Sequence, residues 1–194
     1  MAKLRIFTFP DAVLAQKALP VERPGKEHHR LADDMLETMY DAPGIGLAAN
    51  QVGILERIIV VDTEYDVIDP EELAPGEPVP AGEVVNGQII TGKKPLILFN
   101  PEIILREGKS SMKEACLSVP DYSAEVQRAE KIKVQYQDID GLTKTLAAEG
   151  LLSVCVQHEM DHLEGFLFID RLSQLKKEFA KKKLLRARKL KEEG

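Results

Sequence analysis

Leu151-Leu152-Ser153-Val154-Cys155-Val156-Gln157-His158-Glu159-Met160-Asp161-His162-Leu163 is apolar on nearly every side, contains no proline and is followed closely by Gly165. Such a run with a glycine stop predicts a buried helix over 151–166. On that helix His158 and His162 stand one turn apart on one face with Glu159 beside them, so both imidazoles reach one metal ion. Burying these groups without partners would cost about 1–3 kcal/mol each, and a shared metal removes that penalty. This is the HExxH arrangement, and the remaining chain is expected to wrap around it.

Outward from this helix the sequence reads mainly as strands. Residues 57–62 (RIIVVD) are a buried strand, and 131–138 (KIKVQYQD) alternate as a strand with one wet face. Asp140-Gly141 turns that strand into another over 142–147. Residues 95–100 and 102–105 suggest strand with an edge or bend at Pro101, and 4–9 (LRIFTF) a short strand ended by Pro10. Residues 27–40 follow helical spacing, with Leu31, Met35, Leu36 and Met39 as the apolar face; His28 and His29 lie at its polar start, away from any metal role. Residues 41–51 (DAPGIGLAANQ) read as a loop that something approaches closely. They are no dinucleotide fingerprint, because neither a preceding strand nor a third glycine at the needed spacing is present. The segment 62–95 is an acidic, Pro- and Gly-rich surface excursion carrying a hairpin over 84–90, turned at Asn86-Gly87. The expected architecture is α+β: antiparallel or mixed sheets packed around a central metal-binding helix in one catalytic domain, 1–170, followed by a basic C-terminal helix, 171–194. Leu172, Leu175 and Phe179 are the expected packing stripe of that last helix.

The 194 residues with 44% hydrophobic content suffice for one core of ordinary size. No run is long enough to cross a bilayer and no secretory signal is legible, so a soluble cytoplasmic protein is expected. Two cysteines, Cys116 and Cys155, are too few for a disulfide framework and suit a reducing compartment. The net charge of −6 is unevenly placed: residues 171–194 hold ten Lys or Arg against three Glu, a local +7, leaving −13 on the rest. Body and tail therefore attract different partners.

A catalytic metal of this kind takes three protein ligands and keeps one position open. The longer pattern HExxHxxGxxH matches through Gly165 but meets Phe168 where its third histidine belongs. Glu164 is too close and Glu178 lies in the lysine-rich tail. Cys155 shares the helical face, but its backbone is seven residues, roughly 10.5 Å along the axis, from that of His162. Ligand bonds of about 2.0–2.3 Å do not bridge that comfortably, which makes Cys155 a wall residue. Cys116, in the extended segment 114–120, remains.

Three stretches together resemble the peptide deformylase family, whose motifs are GxGLAAxQ, EGCLS and QHExDHLxG. They stand here as Gly44-Ile45-Gly46-Leu47-Ala48-Ala49-Asn50-Gln51, Glu114-Ala115-Cys116-Leu117-Ser118, and Gln157-His158-Glu159-Met160-Asp161-His162-Leu163-Glu164-Gly165, in the family's order. The resemblance implies that Cys116, His158 and His162 hold one divalent ion, iron in the cell, with Zn, Co or Ni also suited to this donor set. It implies Glu159 as the proton-transferring carboxylate. The Gln51 amide and the Leu117 N–H become donors to the formyl oxygen, and Ile45 and Gly46 backbone contacts for the peptide. Leu151, Val154 and Cys155 are the walls of the methionine pocket. The implied substrate is an N-formylmethionyl polypeptide, which loses formate; the implied partner is the ribosome, reached through the basic helix, and neither DNA nor a membrane is expected. Two departures stand out: Ala115 replaces a glycine near substrate, and 63–94 exceeds the family's link, which is expected to alter surface alone. The rival readings are a small HExxH metallopeptidase, which needs a third His or Glu, and a non-catalytic ribosome-binding relative, for which Ala115 is the support.

Overall fold

The computed structural model describes residues 2–74 and 77–193. Its chain forms α1 (Lys26–Asp41), β1 (Gly46–Ala48), β2 (Ile58–Val61), β3 (Asp66–Ile68), β4 (Glu83–Val85), β5 (Gln88–Thr91) and β6 (Leu96–Glu107). Then come β7 (Ser110–Cys116), β8 (Val119–Arg128), β9 (Lys131–Gln137), β10 (Thr143–Glu149), α2 (Gly150–Leu163) and α3 (Gln174–Glu193). A five-stranded antiparallel sheet runs β1-β2-β6-β9-β10, beside a three-stranded sheet β3-β5-β4 and the hairpin β7-β8. The architecture is α+β, as the sequence predicts.

Burial of β2 on both faces explains its unbroken Ile-Ile-Val-Val run. Ile59 and Val61 pack with Val156 and Leu163 of α2, while Ile58 and Val60 pack with Met35 and Met39 of α1. Because successive side chains in a strand alternate, one strand serves both helices, and every one of its residues must be apolar. A third cluster joins Leu14, Val119, Phe168 and Ile169 to Ala180 and Leu184 of α3.

Several expectations need correction. Residues 4–9 form no strand; their backbone straps across the molecule, Phe7 N–H donating to Gln51 O at 2.7 Å and Phe9 N–H to Ser118 O at 2.8 Å. Alternating residues there reflect contacts on two sides without a ladder. The expected loop at 41–51 contains β1 and a 3-10 turn over Ala49–Val52. Pro101 marks a bend, as expected, though β6 continues through it as one strand, with register shifts on either side of Glu102–Ile103 and Asn100 at φ 50°. A bulge leaves the proline out of the ladder, which its missing N–H requires. The hairpin at Asn86-Gly87 is present with both residues at positive φ, and β3 adds a third strand to it. Of the expected stripe Leu172 packs against the third cluster, whereas Leu175 and Phe179 are 80% and 66% exposed; among the described residues of α3 the buried ones are Ala180 and Leu184. Helical spacing alone does not say which of two apolar rows meets the body. No helix among the described residues is long and apolar enough to cross a membrane.

Candidate metal centre

Helix α2 positions His158 and His162 on one face, their ring centroids 5.1 Å apart. Cys116 arrives from the end of β7, and its Sγ lies 3.2 Å from His162 Nε2. The candidate ligand atoms of Cys116, His158 and His162 all lie within 4.8 Å of one another. Ligands about 2.0–2.3 Å from a tetrahedral ion stand about 3.5 Å apart, so this group has the right size. Both cysteines are free thiols.

The surroundings hold the ligands in place. His158 Nδ1 meets Glu114 Oε2 at 2.8 Å, which would leave Nε2 to take an ion. Glu114 takes two hydrogen bonds from Arg128, at 2.7 and 2.9 Å, and Arg128 also reaches Asp161 at 2.5 Å. Burial works to raise the Glu114 carboxyl, but the Arg128 and His158 hydrogen bonds outweigh it and hold the group down at about 2. Burial likewise tends to lower His158, yet Cys116, Glu114 and Glu159 around it overcome burial and raise it. His162 behaves oppositely: burial first, then the charges of His158 and Arg128, keep it well below its usual value and hence neutral, the form that ligates.

Glu159 is buried, and burial pushes its carboxyl up to about 7. Among the described residues one of its oxygens, Oε2, has no hydrogen-bond partner. The other lies where Gly46 must lack a side chain: a Cβ there would sit 2.5 Å from Glu159 Oε1 and 2.8 Å from Cys155 Sγ. Gly46 thus lets strand β1 pass directly over the carboxylate. The Gln51 side chain is oriented by Ala48 N–H, which donates to Oε1 at 2.8 Å. Its Nε2 therefore points at Ser118 Oγ, 3.1 Å away, and towards Cys116 Sγ at 3.6 Å. Cys155 donates its thiol to Ile45 O at 3.3 Å, and burial raises it well above the ordinary thiol range. It is a wall residue rather than a thiolate.

Gln51, Cys116, Leu117, His158, Glu159, Ile45, Gly46, Leu151, Val154 and Cys155 all border one cavity of about 550 Å³. His162 closes the metal group from behind, 1% exposed. Leu151 is 47% exposed at the mouth, while Val154 and Cys155 are buried. Ala115 pairs with Ser123 in the hairpin at negative φ, so the replacement of glycine introduces no backbone strain. A larger cleft of about 760 Å³ lies on the other side of α2 and contains none of the ligand residues. Glu114, Arg128 and Asp161 have no assigned role in the sequence reading. Glu114 had a signal: two residues before Cys116 on a strand, it shares that residue's face. Arg128 had none, because its place depends on how β8 folds back.

The arrangement can hold one divalent ion with three protein ligands, present a carboxylate of near-neutral pKa to whatever enters, and offer an amide donor opposite. Comparison with known proteins agrees. The model of the polypeptide deformylase family matches residues 3–178. A peptide deformylase of Novosphingobium aromaticivorans is 47% identical over 190 residues, covering 97% of this chain and 99% of that one. Another, from Zymomonas mobilis, is 46% identical over 195 residues, covering 100% and 99%. The crystal structure of peptide deformylase from Ehrlichia chaffeensis superposes with a TM-score of 0.79 at 36% identity, covering 98% of this chain and 99% of that one. The same enzyme in complex with actinonin gives 0.78 at 36% identity over 96% and 98%. With the match spanning nearly the whole chain and the metal group, the carboxylate and the amide gathered on one cavity, this chain belongs to the polypeptide deformylase family and is a peptide deformylase enzyme.

Proposed function

We propose that the protein removes the formyl group from N-formylmethionyl polypeptides in the cytoplasm, releasing formate, through a single divalent ion held by Cys116, His158 and His162. The observation that carries this reading is the convergence of those three ligand groups within 4.8 Å beside Glu159 and Gln51. Held by these residues, a divalent ion would lower the pKa of water towards neutrality and polarise a carbonyl. Glu159, with a pKa near 7, accepts the proton of the attacking water and returns it to the departing amine. The Gln51 amide and the Leu117 N–H donate to the oxygen on which charge develops, an interaction worth about 3–4 kcal/mol per donor in related sites. Ile45 and Gly46 offer backbone to an extended peptide, and Leu151, Val154 and Cys155 wall the methionine side chain. The donor set of one sulfur and two imidazoles suits iron, with zinc, nickel and cobalt as functional substitutes. Ferrous iron next to Cys116 would make the enzyme sensitive to oxidants. The catalytic residues lie within 1–170, and the basic helix of the appendage, 171–194, packs Ala180 and Leu184 onto that unit.

Formate release from formyl-Met peptides, run beside cleavage of the same unformylated peptides, tests this reading. Formate without peptide-bond cleavage is the expected result; internal cleavage would indicate the metallopeptidase, and neither reaction the non-catalytic relative.

The appendage fits the ribosome as partner. Its outward face sets Lys182 and Arg186 beside exposed Leu175, Phe179 and Leu190, a mixture suited to ribosomal RNA phosphates and an adjoining protein surface. Deleting 181–194 would also remove buried Leu184, so Lys182→Glu with Arg186→Glu is the cleaner variant. Salt-sensitive co-sedimentation with ribosomes should be lost while turnover of a short formyl-Met peptide persists. Undiminished co-sedimentation would exclude this face.

A further inference from the structure

Residues 43–46 rim the cavity of the metal group, and the 63–94 insertion grips this rim instead of standing clear of it. The hydroxyl of Tyr65 donates to Gly44 O at 2.9 Å. From the hairpin turn, Asn86 Nδ2 donates to Asp41 O at 3.0 Å and to Asp41 Oδ1 at 2.8 Å. Two main-chain carbonyls three residues apart, on either side of Pro43, are thus satisfied by side chains from the insertion. Asn86 does this from the left-handed turn position, φ 51°, which asparagine tolerates.

The insertion is itself anchored to the body, so the grip is firm. Asp62, just after β2, accepts Glu64 N–H at 3.0 Å and Lys94 N–H at 2.7 Å, tying both ends of the insertion to one carboxylate. The same carboxylate accepts the Tyr40 hydroxyl at 2.7 Å. Tyr40 meets the Tyr65 ring edge-on, with centroids 5.0 Å apart, and Lys93 Nζ stands 4.2 Å above the Tyr40 ring. Ile90 of β5 is buried in the α1 side of the core, with Tyr65 and Val85 packed against it. The body holds the rim as well: Gly44 N–H donates to Met39 O and Asp62 N–H to Ile45 O, both at 2.9 Å, and the Cys155 thiol donates to Ile45 O at 3.3 Å.

We infer that the 63–94 insertion sets the position of the substrate-binding rim at 43–46, with Tyr65 and Asn86 as positioning residues that govern how tightly peptide is held. This rests on the reading of the cavity as a formyl-peptide site. The expected separation of binding from turnover follows from the anchoring of β1. Gly46, which abuts Glu159, is paired with Val61 of β2 independently of the insertion, so the carboxylate and metal group keep their places when the grip is lost.

Tyr65→Phe, which keeps the ring packing, and Asn86→Gly, which keeps the turn, test this singly and together in the full-length metal-loaded enzyme. KM for a formyl-Met tripeptide should rise about threefold to tenfold per lost hydrogen bond, with kcat kept within about twofold. Amide hydrogen exchange over 42–46 should quicken in both variants, with protection over 58–61 unchanged, whether or not the protein deformylates anything. Unaltered KM and unaltered exchange in the double variant would overturn the inference, as would a fall in kcat at constant KM. Absence of formate release from the wild-type enzyme would instead overturn the proposed function, and the exchange measurement would still decide the role of the insertion.

Discussion

Among single residues, Glu159 separates chemistry from ligation most cleanly. Its carboxylate stands beside the metal group without belonging to it, so Glu159→Ala should retain stoichiometric metal while losing about 10²–10⁴-fold in kcat. Metal content by atomic emission and formate release check the two halves, and loss of metal would remove the assignment. The two cysteines give a second contrast. Cys116→Ser should weaken metal binding strongly, whereas Cys155→Ser, whose parent thiol is occupied with Ile45 O, should leave it nearly unchanged. Equal loss in both would mean that the wrong sulfur has been chosen. Both histidines and Glu159 could be singled out in the sequence because helical period and ligand chemistry are local properties, whereas Cys116 came from setting aside the other candidates and from the family resemblance. The Glu114–Arg128–Asp161 chain behind His158 was not, since it joins β7, β8 and α2 through pairings that no local pattern announces.

Of the elements, α2 and β2 were readable because β2 is wholly buried and α2 is buried over most of its length, so their composition has to follow. The hairpin β7-β8 was harder: most of its residues are exposed or half-buried, and only the segment about Cys116 could be read as extended. Helix α3 shows why a stripe of apolar residues does not orient itself. Besides Ala180 and Leu184, an ionic latch fixes its start: Lys177 reaches Asp170 at 2.7 Å and Lys181 at 3.7 Å, while Leu167 N–H donates to the same carboxylate at 2.9 Å. Burial alone would raise Asp170, but the Lys177 and Leu167 hydrogen bonds prevail and lower it below the ordinary aspartate value. A depressed folded-state pKa contributes stability that is present above the unfolded value, about 4, and vanishes as pH falls through the folded one. The melting temperature of the wild type should therefore exceed that of Asp170→Asn at pH 7, and the gap should close towards pH 3. A gap independent of pH would show that the latch is not electrostatic.

In the whole molecule, the metal group bridges α2 and the β7-β8 hairpin, so an ion that binds the folded state alone stabilises both together. Chelation should lower the melting temperature measurably; an ion present at about a thousand times its Kd accounts for about 4 kcal/mol. Calorimetry of stripped and reloaded protein reads this directly. The strap at residues 7–9 has a further consequence, in time rather than in space. It lies over Gln51 and Ser118, and it continues into Asp11, which Arg188 of α3 meets at 2.9 Å, and Leu14, which joins the cluster of Ala180 and Leu184. The first and last portions of the chain close on each other, so the enclosure cannot be finished until the final helix has been synthesised. In cell-free translation, formate-releasing activity should appear only once α3 has emerged and packed, and intermediates stalled before residue 180 should show none. An enzyme proposed to act on unfinished polypeptides would then itself have to be finished before it could act.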